Sequence, residues 1–141
     1  MRAARFHDRE DLRLEEIPEP TASPGDVLLR VLYAGICGTD VHELHEGPIF
    51  TPGSTPHPLT GVVNPVVLGH EMSGEVLAVG EGVTRVAPGD LVAVYPLETC
   101  GACRACREGA LSLCPNRAAH GLSRGHGAFA ELTLVKEAMA V

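Results

Sequence analysis

The stretch 24-PGDVLLRVLYAGICGTDVH-42 decides the reading of this chain. Pro24-Gly25-Asp26 is a turn signal, and 27-VLLRVLYAGI-36 is an apolar run bounded by breakers, so it reads as a core strand. The strand ends on Cys37-Gly38-Thr39-Asp40. Thr39 or Asp40 is placed to cap a short helix through 40-DVHELHEG-47, which Gly47-Pro48 stops. A strand of this kind holds a cysteine at its tip and follows it at once with polar, titratable side chains.

Working outward, the same short-strand pattern recurs. Residues 1–17 read as two strands around a turn at residues 7–11, with Leu12, Leu14 and Ile17 as the apolar positions of a half-buried strand. Pro18 and Pro20 then interrupt regular structure, and 48–66 is so rich in proline and glycine that it reads as one long surface loop. The segment 66-VVLGHEMSGEVLAVGEGV-83 reads as a strand pair around Gly69 to Gly74. After the Pro88-Gly89-Asp90 turn, 91-LVAVYPL-97 and 127-GAFAELTLV-135 read as two further strands. The expectation is a mainly β fold: a small, partly open barrel with a few short helices.

Bulk properties narrow the function. The 141 residues suffice for one domain with a core, and 45% hydrophobic with 21% charged residues is an ordinary composition for a soluble domain. A formal charge of −7, with the 11 Lys and Arg scattered, argues against a nucleic-acid partner. No run reaches the roughly 18 apolar residues of a membrane helix, and the N-terminus lacks the apolar core of a signal peptide. The expected location is the cytoplasm, where an odd number of cysteines, five, favours metal ligation or catalysis over disulfides.

Four of the five lie in 100-CGACRACREGALSLC-114, spaced C-x2-C-x2-C-x7-C. Two residues between cysteines let one tight turn aim both sulfurs at a point, and the seven-residue gap is long enough to return the fourth. Zinc takes four thiolates tetrahedrally at about 2.3 Å, and a site closed by four sulfurs is structural. Cys100, Cys103, Cys106 and Cys114 are therefore the candidate ligands of a structural zinc in a lobe at about 97–117. An iron–sulfur cluster is the rival. The bacterial ferredoxin run places three residues before its last cysteine, not seven, so zinc is preferred.

Cys37, and downstream 69-GHEMSGEV-76, offer a second set of donors. Cys37, His70 and the adjacent Glu71 are ligands of mixed type, as a catalytic zinc with one open position requires. Taken singly, Cys37 fits a small core residue, His70 a satisfied histidine and Glu71 a solvated charge. Spacing along the chain does not establish that they meet.

The succession PGDVLLRV, GICGTDVH, LGHEMSGEVLAVGEGV, PGDLVAV, the four-cysteine lobe and GAFAELTLV resembles the N-terminal, GroES-like catalytic domain of the zinc-dependent medium-chain alcohol and polyol dehydrogenases. The segment 38-GTDVHELHEGPIF-50, followed by HPLTG, is most similar to the butanediol and sorbitol dehydrogenase branch. The resemblance implies that Cys37, His70 and Glu71 hold a catalytic zinc and that Cys100, Cys103, Cys106 and Cys114 hold a structural one. It further implies that Thr39 and His42 relay the proton of a small alcohol or polyol substrate while hydride passes to NAD(P).

The family's dinucleotide site is a G-x-G-x-x-G turn in a Rossmann domain, which these 141 residues do not provide. NAD(P) is thus expected only with that missing domain, which, or else a homo-oligomer, is the expected partner. The isolated chain is expected to be inactive without it. The alternative is a non-catalytic zinc-binding module of the same fold, acting in assembly or binding.

Overall fold

A computed structural model describes residues 1–141. The chain is mainly β, and every strand pairing is antiparallel. The first hairpin joins β1 (Arg2–Asp8) to β2 (Asp11–Glu16) across a tight turn in which Glu10 takes a left-handed φ of 59°. The third strand, β3 (Asp26–Gly35), is the longest. It is followed by α1 (Gly38–Glu46), by a segment with no regular element, and by the two-residue β4 (Val66–Val67). Then come β5 (Glu71–Val79), β6 (Leu91–Ala93), β7 (Leu97–Glu98), the single-turn α2 (Arg104–Arg107), β8 (Ala118–Ala119) and β9 (Leu132–Lys136).

These strands form three open sheets and no closed barrel. One sheet has the order β2-β1-β4, the second β6-β5-β3-β9, and β7 pairs with β8 alone. The second sheet buries Val27, Leu29, Val76, Val92, Val94, Val135 and Met139 as the main core. Phe6, Val66, Leu68 and Leu122 form a smaller cluster under the first. The expected mainly β fold with few, short helices is what the chain adopts, and the four-cysteine lobe hangs from the β7–β8 pair.

Several local expectations are corrected. The run 27–36 is core only in its first half: Val27 and Leu29 are fully buried, whereas Tyr33 is 77% and Ile36 74% exposed. The cause is lateral. Strand β9 covers β3 only from Asp26 to Arg30, and apart from the bond from the Val31 amide to the Glu131 carbonyl the strand's far half is paired with β5 alone. Leu12 and Leu14 likewise face outward, because β2 is the edge of its sheet. The segment 66–83 is not a hairpin. Val66 and Val67 pair with β1, while Glu71–Val79 pairs with β3 and β6, so the chain changes sheets at Leu68-Gly69-His70. The run 91–97 is also divided, with Val94-Tyr95-Pro96 separating β6 from β7.

Gly69 makes that change of sheet. Its φ is +96°, and a Cβ there would meet the Phe129 backbone nitrogen at 2.9 Å. Ala128 donates its amide to the Gly69 carbonyl and Phe129 to that of Leu68, both at 2.9 Å. The segment 127–131 expected as strand is thus an irregular strap across the crossover, and β9 begins at Leu132.

Candidate metal centres

The sheet crossover and the tip of β3 bring together residues far apart in sequence. One ligand atom each from Cys37, His70 and Glu71 falls in a group whose members lie within 4.8 Å of one another. Cys37 is the N-cap of α1, in place of the expected Thr39 or Asp40. Asp40, at the third helical position, reaches back instead: its Oδ2 accepts the Cys37 amide at 2.9 Å. The unused amides of the first helical turn make this end electropositive.

Asp40 also faces the second donor. Its Oδ1 lies 3.4 Å from His70 Nδ1. Both atoms are buried, and the approach is too far off line to count as a hydrogen bond, so each is left without a partner. A carboxylate facing one ring nitrogen while the other points to a metal is the usual support of a ligating histidine. Glu71 is exposed, and its carboxylate lies over Gly35, where a Cβ would meet Oε2 at 2.7 Å. One thiol, one imidazole and one carboxylate, with solvent on the remaining side, fit a zinc site that keeps a position open.

Thr39 and His42 sit on α1, the first half-buried and the second exposed. The Thr39 hydroxyl oxygen is 3.6 Å from Cys37 Sγ. His42 follows three residues later, on the same helix face.

The four remaining cysteines form the second group, again with ligand atoms all within 4.8 Å. Sulfur separations are 3.4 Å for Cys103–Cys106, 3.6 Å for Cys114–Cys100 and 4.0 Å for Cys100–Cys106. A disulfide needs about 2.05 Å, while the edge of a tetrahedron with Zn–S near 2.3 Å is about 3.8 Å. The cysteines are free, and their spacing is that of a zinc tetrahedron.

Their titration says the same. The amides of Ala102 and Cys103, then the Cys114 thiol, hold Cys100 down at about 6. For Cys103 the Cys106 amide favours the thiolate, but burial and the three neighbouring thiols outweigh it and push the group up to about 11. Sulfurs this close cannot all ionise without a cation among them. Four sulfur donors would fill a tetrahedral ion's coordination, which is the donor set of a structural site.

Two polar residues near these groups escape a reading of the sequence, the buried Glu43 and the buried His120, and Asp40 is read there only as a candidate cap. Asp40 stands three residues after the helix N-cap, as in a capping box, but a cysteine in the cap position hides the pattern. Glu43 finds its partners in the loop that follows α1, and His120 finds Thr133 only through the tertiary fold.

Comparison with known proteins bears on both centres. Residues 23–141 match the family model described as the alcohol dehydrogenase GroES-like domain. The chain is 46% identical over 138 residues to (R,R)-butanediol dehydrogenase of Bacillus subtilis, covering 97% of this chain and 38% of that protein. It is 40% identical over 116 residues to sorbitol dehydrogenase of the same organism, covering 82% and 31%. The crystal structure of the Bacillus subtilis 2R,3R-butanediol dehydrogenase superposes with a TM-score of 0.92 at 44% identity, over 99% of this chain and 39% of that one. A zinc-binding dehydrogenase from Sinorhizobium meliloti, solved bound to NADP, superposes at 0.85 with 37% identity, covering 99% and 37%. The chain thus spans less than two fifths of the length of these relatives. It belongs to the alcohol dehydrogenase GroES-like domain family, in the zinc-dependent medium-chain branch of the butanediol and sorbitol dehydrogenases.

Proposed function

We propose that this chain is the zinc-binding catalytic domain of a dehydrogenase that oxidises a small secondary alcohol or vicinal diol. The observation that carries the reading is the convergence of Cys37, His70 and Glu71 from the cap of α1, the sheet crossover and the start of β5. Cys37, His70 and Glu71 would hold the catalytic zinc, and Cys100, Cys103, Cys106 and Cys114 the structural one. Bound zinc supplies Lewis acidity toward an alcohol oxygen, and a nicotinamide dinucleotide on a further domain supplies the hydride acceptor.

The chain's own residues manage the proton. The Thr39 hydroxyl, beside Cys37, accepts a proton from the alcohol while donating its own. His42, exposed one turn further along α1, takes that proton on and releases it to water. Asp40 holds Cys37 and His70 in register while this happens. The diol preference rests on similarity to the butanediol and sorbitol dehydrogenases. Free thiols in a clustered lobe suit a reducing compartment, the cytoplasm. No helix is long and apolar enough to cross a membrane.

The test joins residues 1–141 to the remaining portion of the Bacillus subtilis butanediol dehydrogenase and follows NADH formation with 2,3-butanediol. Turnover that survives, together with two zinc ions per chain falling to one in Cys37→Ser, is expected. Two bound zinc ions with no turnover on any diol or secondary alcohol would instead leave a non-catalytic zinc-binding module.

A further inference from the structure

The largest polar investment outside both metal centres is Glu43. Its side chain is fully buried on the inner face of α1, four residues after Thr39 has left the Cys37 cap. Neither zinc nor the proton relay uses it. Its Oε1 accepts the amides of Ile49 and Thr51, both at 2.9 Å, and the Thr51 hydroxyl at 2.5 Å. Its Oε2 accepts the Phe50 amide at 2.9 Å. Three consecutive backbone amides therefore converge on one carboxylate, a nest closed by the chain's own acid.

The chain must double back tightly to do this. Gly47 donates its amide to the Glu43 carbonyl at 2.9 Å, and a Cβ on Gly47 would meet that carbonyl oxygen at 2.3 Å. Thr51 is in turn held by Asn64, whose Nδ2 donates to its hydroxyl at 3.2 Å. The result is a loop segment rigid at the backbone that throws its two large apolar side chains outward. Ile49 is 50% and Phe50 53% exposed. Both line a cleft of about 380 Å³ closed on its other side by Leu97 and Pro115 of the cysteine lobe.

We propose that Glu43 is a positioning residue for substrate selection: its buried carboxylate locks Ile49–Phe50–Thr51 onto the helix that carries Thr39 and His42, so that Ile49 and Phe50 stand as a fixed apolar wall that sorts alcohols by the size of their carbon skeleton. The proposal rests on the dehydrogenase reading for what the wall sorts, and on geometry alone for the lock. A carboxylate is needed because all four partners donate. In Glu43→Gln one oxygen becomes an NH2 that faces an amide N–H, and the nest opens at that point.

Two measurements test it. Amide hydrogen exchange of the 141-residue chain, read by mass spectrometry, is expected to quicken at least tenfold in peptides covering 47–53 in Glu43→Gln and to stay unchanged in β5. In the joined enzyme, the ratio of kcat/KM for 2,3-butanediol to that for a bulkier diol such as 1-phenyl-1,2-ethanediol is expected to fall several-fold, through KM for the bulky substrate and not through kcat for the small one. Should Glu43→Gln not fold, Thr51→Val, which removes the hydroxyl's 2.5 Å contact to Glu43 together with the one it accepts from Asn64, is expected to move both readouts the same way, and Thr51→Ser to restore them.

Unchanged exchange at 47–53 in a folded variant overturns the lock. Faster exchange with an unaltered substrate ratio overturns the wall. If the joined wild-type enzyme does not turn over at all, the dehydrogenase reading fails and with it the sorting role, while the exchange result still decides the lock.

Discussion

Asp40 and His70 face each other at 3.4 Å, carboxylate oxygen to ring nitrogen, with the carboxylate side chain only 4% exposed. The other oxygen of the same carboxylate accepts the Cys37 amide, so a single acid hydrogen-bonds one donor residue of the open group and faces the ring of another. Asp40→Asn keeps the shape and loses the charge. Its affinity for the ion at Cys37, His70 and Glu71 is expected to fall about 10- to 100-fold, the usual cost of losing such a support. Competition with a fluorescent zinc chelator measures this. Equal affinity in Asp40→Asn and wild type would show that His70 is oriented by something else.

The cysteine lobe is expected to depend on its ion for its shape. It contains only the single-turn α2, a three-residue 3₁₀ turn and the two-residue β7–β8 pair, with no cluster of the hydrophobic core. Cys114→Ser, at a fully buried position, should therefore release one zinc per chain and leave the other bound. The freed lobe offers Arg104, Arg107 and Arg117 to trypsin, and cleavage confined to these sites is the expected gel pattern. An intact chain with undiminished metal would remove the structural role of this group.

What the sequence showed, and what it hid, follows from the range of the interactions involved. The four-cysteine lobe was legible because its ligands lie within fifteen residues and their spacing alone sets the geometry. The strand core at Val27 and Leu29 was legible because a short apolar run bounded by turn signals marks a strand. The outward half of β3 was not, since its exposure depends on where β9, a hundred residues away, stops pairing. Nor was the parting of Val66–Val67 from β5, because a run of apolar residues around Gly69 reads equally well as a hairpin and as a passage between sheets. Cys37, His70 and Glu71 could be named individually, yet their meeting depends on that passage.

Gly121 tests the passage directly. Its φ is +68°, and a Cβ on it would lie 2.0 Å from the Gly69 carbonyl oxygen, next to His70. Gly109 has a similar φ of +78° with nothing within 4 Å. Gly109→Ala should cost about 1 kcal/mol, the conformational penalty alone. Gly121→Ala adds a clash between backbones that cannot both stay in place, and a loss of about 2–4 kcal/mol is expected. Urea unfolding of the two variants separates conformation from contact. If both lose the same, the two glycine backbones are not packed together at the crossover.

His120 makes stability depend on pH. It is fully buried, with Nε2 3.0 Å from the Thr133 hydroxyl and Nδ1 unpartnered. Burial, and then the nearby His126, Arg124 and His70, push its pKa from 6.5 down to about 3. The folded chain thus keeps this ring neutral where the unfolded chain protonates it. Above pH 6.5 neither state binds the proton, and the full stability is present; between 6.5 and 3 only the unfolded state does, and stability is lost as pH falls. The slope from this one group approaches about 1.4 kcal/mol per pH unit well below 6.5. His126, also lowered by burial, acts in the same direction. Urea midpoints of wild type and His120→Gln between pH 5 and 7.5, in excess zinc, should diverge in slope by nearly one proton at the acid end, with His126 leaving a residual slope in the variant. Parallel profiles would mean that the buried ring is already protonated in the folded chain, and that its unpartnered nitrogen carries the proton to an acceptor.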